Sequence, residues 1–268
     1  PGYKANTASA LNQFSEKIAS DLNLSSHGFN SKTDALKNIA LDLNQNHVYI
    51  NEDSVSGVSK TDAQNFNQYK SLLKKFADVL KPFWLKSIPR LKNENIKDLF
   101  TFAEIGLKIR LMGKEDMREF LRVFSLPTRD LMDEFFDSDL LKAALSWDAL
   151  IGSSQAPRSP NNSILTLLYR MSGKHQGHYY IPNGGIDSLI DALVSSAEEA
   201  GVEFMSETIV KEIIIENSQN GLKAIGVKTH NSEEIKADRI ISGVDPKQTF
   251  INLVGAHNTE IEFSNRIN

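Results

Sequence analysis

Hydrophobic periodicity changes character at one place in this chain, Pro182, and that change bounds the folds open to it. Before Pro182 apolar residues recur at intervals of three and four; beyond one further helix they fall in short β-prone runs. The strongest helical stripe is Phe66, Tyr69, Leu72, Leu73, Phe76, Val79 and Leu80. A stripe that wide needs other elements to cover it, so a helix-rich domain is expected up to residue 181.

The individual elements follow from local chemistry. Leu11, Phe14, Ile18 and Leu22 suggest a helix over Tyr3–Leu24. Ile39–Leu43 and Val48–Ile50, joined by Asn44-Gln45-Asn46, read as a hairpin. Thr61 with Gln64 has the capping-box spacing for the long helix, and Pro82 ends it. Further helices are expected over Ile96–Met112, Glu115–Phe124, Leu131–Phe136, Leu140–Ile151 and Ile164–Met171, with Thr128 and Ser138 as caps. Pro182-Asn183-Gly184-Gly185 is a tight turn opening a helix that Gly201 ends. Val202–Phe204 reads as a short strand. Ile209–Ile215, Leu222–Thr229 and Glu234–Ser242 then read as a meander, its first turn carrying Asn220-Gly221. Phe250–Gly255 begins another helical stretch.

Composition removes several function classes. Over 268 residues, 40% hydrophobic and 24% charged is a globular balance and excludes a disordered tail. A net charge of −4 with no basic block argues against nucleic acid as a partner. Lys70, Lys74 and Lys75, with Asp78 and Lys81, read as a solvated helix face. The chain has no cysteine, so disulfides, thiolate metal sites and a cysteine nucleophile are excluded together. That fits a reducing compartment, and the expected location is cytoplasmic. No apolar run reaches the ~18 residues of a membrane span, and no signal peptide is visible. The opening Pro1-Gly2-Tyr3, without an initiator Met, suggests an interior piece of a longer protein.

Three stretches carry a resemblance. They are Leu140–Gly152 with Pro157 and Pro160, then Tyr180–Ile186 with Leu189, Leu193 and Glu198–Val202, and finally Glu234–Ser242 with Asp245-Pro246. In this order and spacing they resemble the phytoene-dehydrogenase-related family of FAD-dependent oxidoreductases, relatives of carotenoid desaturases and, more distantly, of flavin amine oxidases. Pro1-Gly2-Tyr3 and Leu22–Gly28 are similar as well. The resemblance implies a mixed α/β (α+β) fold, in which a helix-rich substrate domain joins an incomplete Rossmann-like FAD domain carrying a β-meander. Residues 1–181 would be mainly substrate domain, 182–246 part of the discontinuous FAD domain, and 247–268 a return into the substrate domain.

The cofactor implied is FAD, with hydride passing from an apolar, isoprenoid or polyene substrate to the flavin. Positions matching the family's flavin contacts are Val210, Gly184, Gly185 and Asp245. Relatives often place Asn-Ala before Asp-Pro, where this chain has Gly243-Val244. No G-x-G-x-x-G follows a strand, so the helix N-terminus and glycine backbone that hold a pyrophosphate are not expected here. The resemblance transfers no catalytic side chain, and this piece alone is expected to be inactive.

Other readings compete for the same residues. His175 and His178 lie three apart, but no third metal ligand lies near them, so a channel-lining or surface role is preferred. Asp187 and Asp191 belong to the polar face of their helix. Arg158 is read as a solvated loop residue. Phe83-Trp84-Leu85, between Lys81 and Lys86, is read as packing, with peripheral membrane contact as the alternative. An amine-oxidase-like enzyme would want aromatic residues around a polar substrate head, for which Tyr179-Tyr180 is the one hint. A non-catalytic binding module is the third possibility. Unpaired sheet edges in an incomplete domain predict self-association.

Overall fold

The computed structural model describes residues 10–31, 33–86, 96–159, 163–218 and 221–267. It divides into two compact units at Ala200/Gly201. Both helices and sheets are present, and the two described sheets are antiparallel.

In the first unit, β1 (Asn38–Ala40), β2 (Val48–Ile50) and β3 (Val55–Ser56) form a small meander. Val48 and Ile50 are buried while Tyr49 points outward, the alternation a one-sided sheet requires. The hairpin expected from sequence is present, and β3 was not foreseen. Gly57 follows β3 at φ +79°, and a Cβ there would lie 2.1 Å from the His47 carbonyl oxygen, so only glycine fits this close approach.

Helix α2 (Lys60–Leu80) lies at the centre of the first unit's core. Phe66, Tyr69, Leu73, Phe76 and Ala77 are buried against β2 and β3 and against α4 (Lys114–Ser125), α5 (Thr128–Phe135), α6 (Asp139–Leu150) and α7 (Ser163–Met171). Two aromatic pairs knit this core. Phe76 meets Phe120 edge-on at 5.3 Å, and Tyr69 meets Phe136 edge-on at 5.3 Å. Helix α3 (Ile96–Leu111) precedes α4 close to its expected span.

The caps differ in detail from the sequence reading. Ser59, not Thr61, caps α2, its hydroxyl accepting from the Asp62 N–H. Ser138 caps α6 as expected, accepting from Leu141 N–H. Thr128 is no cap: it is fully buried and its hydroxyl donates to Ser163 Oγ at 2.7 Å, tying the start of α5 to the start of α7. Pro127 already occupies the cap position, which frees that hydroxyl for a tertiary bond.

The N-terminal segment departs most from expectation. Helix α1 covers only Glu16–Asp21, capped by Ser15. Leu11 instead exchanges backbone hydrogen bonds with Tyr180 at 2.8 and 2.7 Å, so this stretch is extended. The expected helical residues 3–9 lie outside the described ones. Leu11 and Phe14 pack with Leu24, Phe29, Leu189 and Ala192 in a small second core under α8 (Gly185–Glu199). Apolar spacing alone did not separate a helix from an extended segment lying on another element.

The second unit is a meander of β4 (Val210–Ser218), β5 (Gly221–Thr229) and β6 (Glu234–Lys236). Gly226 lets β6 approach: a Cβ there would meet the Ile235 carbonyl oxygen at 2.5 Å. A π-helical segment Lys247–Leu253, a short 3-10 turn and α9 (Ile261–Ile267) follow. Val202–Phe204 is not a strand, and the third strand stops at Lys236 instead of Ser242. A strand exists by its hydrogen-bonding neighbour, and among the described residues neither 202–204 nor 238–242 has one. Ile241 is correspondingly 95% exposed.

Candidate functional site

A cavity of about 420 Å³ opens in the first unit, between the β1–β2 hairpin and helices α2, α6 and α7. Its apolar wall comes from Ile39, Ala40 and Ile50 of the hairpin, Phe66 of α2, Leu145 of α6, and Leu167 and Met171 of α7. The segment Gln176–Tyr179 closes one side. The polar residues lining it are Asn38, Gln176 and, central to its chemistry, Tyr69, Lys70, Asp148, His178 and Tyr179.

Two separate polar groups result. In the first, Arg170 Nη1 donates to Tyr179 Oη at 2.7 Å, and Tyr179 in turn donates to Asp148 Oδ1 at 3.3 Å. Arg170 Nη1 also lies 3.7 Å from Asp148 Oδ1. Burial pushes the Asp148 carboxyl above its ordinary range, although Arg170 and the Tyr179 hydroxyl oppose the shift. The Tyr179 phenol is likewise raised by burial and by the Asp148 charge. Tyr69, fully buried, is raised well above the ordinary phenol range by desolvation.

In the second group, Lys70 donates its ammonium to the Glu52 carbonyl oxygen and lies 3.7 Å from the Asp53 carboxylate. Desolvation lowers its pKa. His178 is buried, and burial together with the nearby Lys70 charge lowers its pKa, so the imidazole is neutral at pH 7. Its Nδ1 is fully buried with no hydrogen-bond partner. His175 pairs with Glu52 at 3.5 Å and packs its ring on Tyr180 at 5.2 Å.

Asp148 supplies a pH test. A carboxyl whose pKa is raised on folding binds a proton preferentially in the folded chain. The resulting stability is fully present below the unfolded pKa and is lost as pH rises through the raised value. Asp148→Asn does not titrate. Wild type is therefore expected to gain stability over Asp148→Asn as pH falls through the window just above the ordinary carboxylate range. Urea midpoints of the two proteins from neutral to acid pH check this, and a gap that stays constant with pH would contradict it.

Lys70 corrects the sequence reading. It is 8% exposed, not part of a solvated face. Phe66, Lys70, Leu73 and Ala77 form one line along α2 at spacings of four, three and four, all buried, so the stripe's own period placed Lys70 inside. Asp148 was missed for the same reason, since it follows Leu141 and Leu145 at helical spacing on α6. Tyr179 reaches the cavity. Tyr180 instead pairs with Leu11 through its backbone.

The four residues singled out for flavin contact are placed in different units. Gly184 and Gly185 open α8 at φ +85° and +77°, and a Cβ at Gly185 would meet nothing within 4 Å. Val210 begins β4 and is 36% exposed. Asp245 starts the π-helical segment, accepting the Gln248 N–H on Oδ1 and the Thr249 N–H on its backbone oxygen. Gly184 and Gly185 belong to the first unit, Val210 and Asp245 to the second.

Residues 23–252 match the family described as flavin containing amine oxidoreductase. The chain belongs to this family. It is 27% identical over 277 aligned residues to the pyridine nucleotide-disulfide oxidoreductase domain-containing protein 2 of Mus musculus, covering 94% of the chain and 47% of that protein. The Rattus norvegicus protein of the same name aligns to the same extent. A phytoene desaturase of Neurospora crassa is 32% identical over 171 residues, 63% of this chain and 27% of its own length. The chain thus spans about half the length of the first two relatives. Among the described residues, no helix of this flavin-family chain is long and apolar enough to cross a membrane.

Proposed function

We propose that the whole protein is an FAD-dependent oxidoreductase whose apolar substrate, an isoprenoid or polyene, lies in the cavity of the first unit. The observation that carries this reading is the cavity itself. An apolar wall with a few inward polar groups, in a chain of a flavin-containing family, is what a lipid-like substrate requires. The cofactor's contribution is to accept hydride; the protein orients the substrate and keeps water out. The apolar wall does the second, and the Arg170–Tyr179–Asp148 chain holds Tyr179 in place at the cavity's polar edge.

Flavin contact is proposed for Gly184, Gly185, Val210 and Asp245. Gly185 favours it, because its open side leaves room for a close backbone approach. The 268 residues hold no G-x-G-x-x-G motif, so they do not themselves form a pyrophosphate cradle. Desaturase-like chemistry is favoured over amine oxidation because Arg170 already lies beside Asp148, the carboxylate an ammonium head would seek. Peripheral membrane contact and self-association belong to the same proposal. Leu85, 58% exposed beside Lys86, is the surface residue that supports the first.

The deciding measurement is the visible spectrum of the whole gene product, purified alongside this 268-residue chain. Flavin absorbance in the longer form alone is the expected outcome. Flavin absent from both would sink the reading, and tight flavin in the shorter chain would overturn the account of its missing cradle.

A further inference from the structure

We infer that the outer face of α3 is a membrane-contact face, lying flat on an anionic lipid surface. The inference rests on the peripheral membrane contact proposed above, and it names the element that makes that contact and the charge of its partner.

The first argument is an apolar face turned to water. Ile96, Leu99, Phe100, Leu107 and Leu111 of α3 are each between 57% and 74% exposed. At helical spacing they fall along one side of the helix, with exposed Ala103 between them. Ile109, on the opposite side, packs on the core, so α3 is apolar on both faces and only one is covered. Single exposed leucines are ordinary, but five large apolar side chains on one line make a contiguous patch, and such patches mark contact surfaces. The helix has 16 residues and is therefore about 24 Å long, a length suited to lying in an interface. Leu85, 58% exposed, adjoins it, because the neighbouring Lys86 pairs with Glu104 of α3.

The second argument is charge. Residues 81–114 contain eight Lys and Arg against three Asp and Glu, in a chain whose net charge is −4. These cations stand singly among apolar residues instead of forming a block. Lys108, Arg110 and Lys114 flank the C-terminal end of the exposed stripe, while Glu104 is held by Lys86. An apolar stripe with scattered cations suits a lipid interface: the apolar side chains enter the acyl boundary and the cations meet anionic headgroups. A second copy of the chain would bring the same excess of cations to the contact. Nucleic acid would leave the apolar stripe in water. Anionic lipid answers both observations.

The test is co-sedimentation of the whole gene product, with this 268-residue chain beside it, on phosphatidylcholine vesicles that carry or lack about 30% phosphatidylserine. Both proteins are expected to bind the phosphatidylserine vesicles several-fold more tightly than the neutral ones, and less tightly in ~0.5 M salt. Phe100→Ser with Leu107→Ser, at two exposed positions, is expected to weaken binding on the order of tenfold. Arg110→Gln with Lys114→Gln is expected to weaken it by a similar factor, on phosphatidylserine vesicles alone. Ile241→Ser, an exposed apolar position of the second unit, is expected to change nothing. Equal binding to both vesicle types overturns the inference, as does unchanged binding by the Phe100→Ser/Leu107→Ser variant. Binding by the shorter chain alone also overturns it, because α3 would then be covered in the whole protein. So does a light-scattering mass that falls from two copies to one in that variant with no vesicle binding, which gives the face to a second copy. Should circular dichroism show the double variant unfolded, Leu111→Asn takes its place. Failure here leaves the flavin spectrum untouched, so this inference and the oxidoreductase reading fail separately.

Discussion

Phe76→Ala is expected to destabilise the first unit by about 4 kcal/mol, the largest effect of any single truncation argued from this structure. Phe76 is completely buried in the C-terminal third of α2 and meets Phe120 of α4 edge-on at 5.3 Å. Truncation removes the ring's transfer energy, leaves a cavity that neighbouring helices cannot fill by a small shift, and loses the aromatic pair. Phe76→Leu keeps most of the volume and is expected to cost roughly half as much. Urea unfolding followed by circular dichroism measures both. A loss under ~1.5 kcal/mol for the alanine variant would mean that α4 is not packed on α2 as described.

Asp62→Ala is expected to cost roughly 2 to 3 kcal/mol for a different reason. Asp62 is 1% exposed, and its carboxylate is held by backbone donors. Its two carboxylate oxygens accept the backbone N–H groups of Asp137 and Ser138 at 2.9 and 3.0 Å. A single side chain at the start of α2 therefore clamps the junction between α5 and α6, where Ser138 also caps the next helix. Alanine leaves both N–H groups without that partner. Asp62→Asn keeps one acceptor oxygen but turns an NH₂ toward the second donor, so an intermediate loss is expected. Equal stability of the alanine and asparagine variants would show that the carboxylate is not the clamp. Because the α6 end of that junction leads to Asp148, Asp62→Ala is also expected to loosen the cavity wall.

The same residues show what could be read before any fold was known. The helices α2, α3, α4, α6 and α7 follow directly from apolar period, capping serines and prolines, because those signals act within a few residues of where they are read. The β4–β5 hairpin is legible for the same reason, through its alternating flanks. The loop's central pair, 219–220, lies outside the described residues.

Elements whose form depends on distant partners were misread. Leu11 is extended because Tyr180, far along the chain, supplies its hydrogen bonds. Val202–Phe204 and residues 238–242 have β-prone composition and no described neighbour to pair with, so composition did not make them strands. Lys70 reads as a surface charge because charge is normally solvated, and its helical phase is outvoted by its chemistry, while Asp148 drew no reading of its own.

From sequence alone came the helix-rich first part, the meander after Pro182 and the likeness to FAD-dependent oxidoreductases, since these rest on local pattern and ordered motifs. Only the tertiary structure decided that Lys70, Asp148, His178 and Tyr179 share one cavity, because they come from three separate stretches of chain that meet only once α2, α6 and α7 have packed.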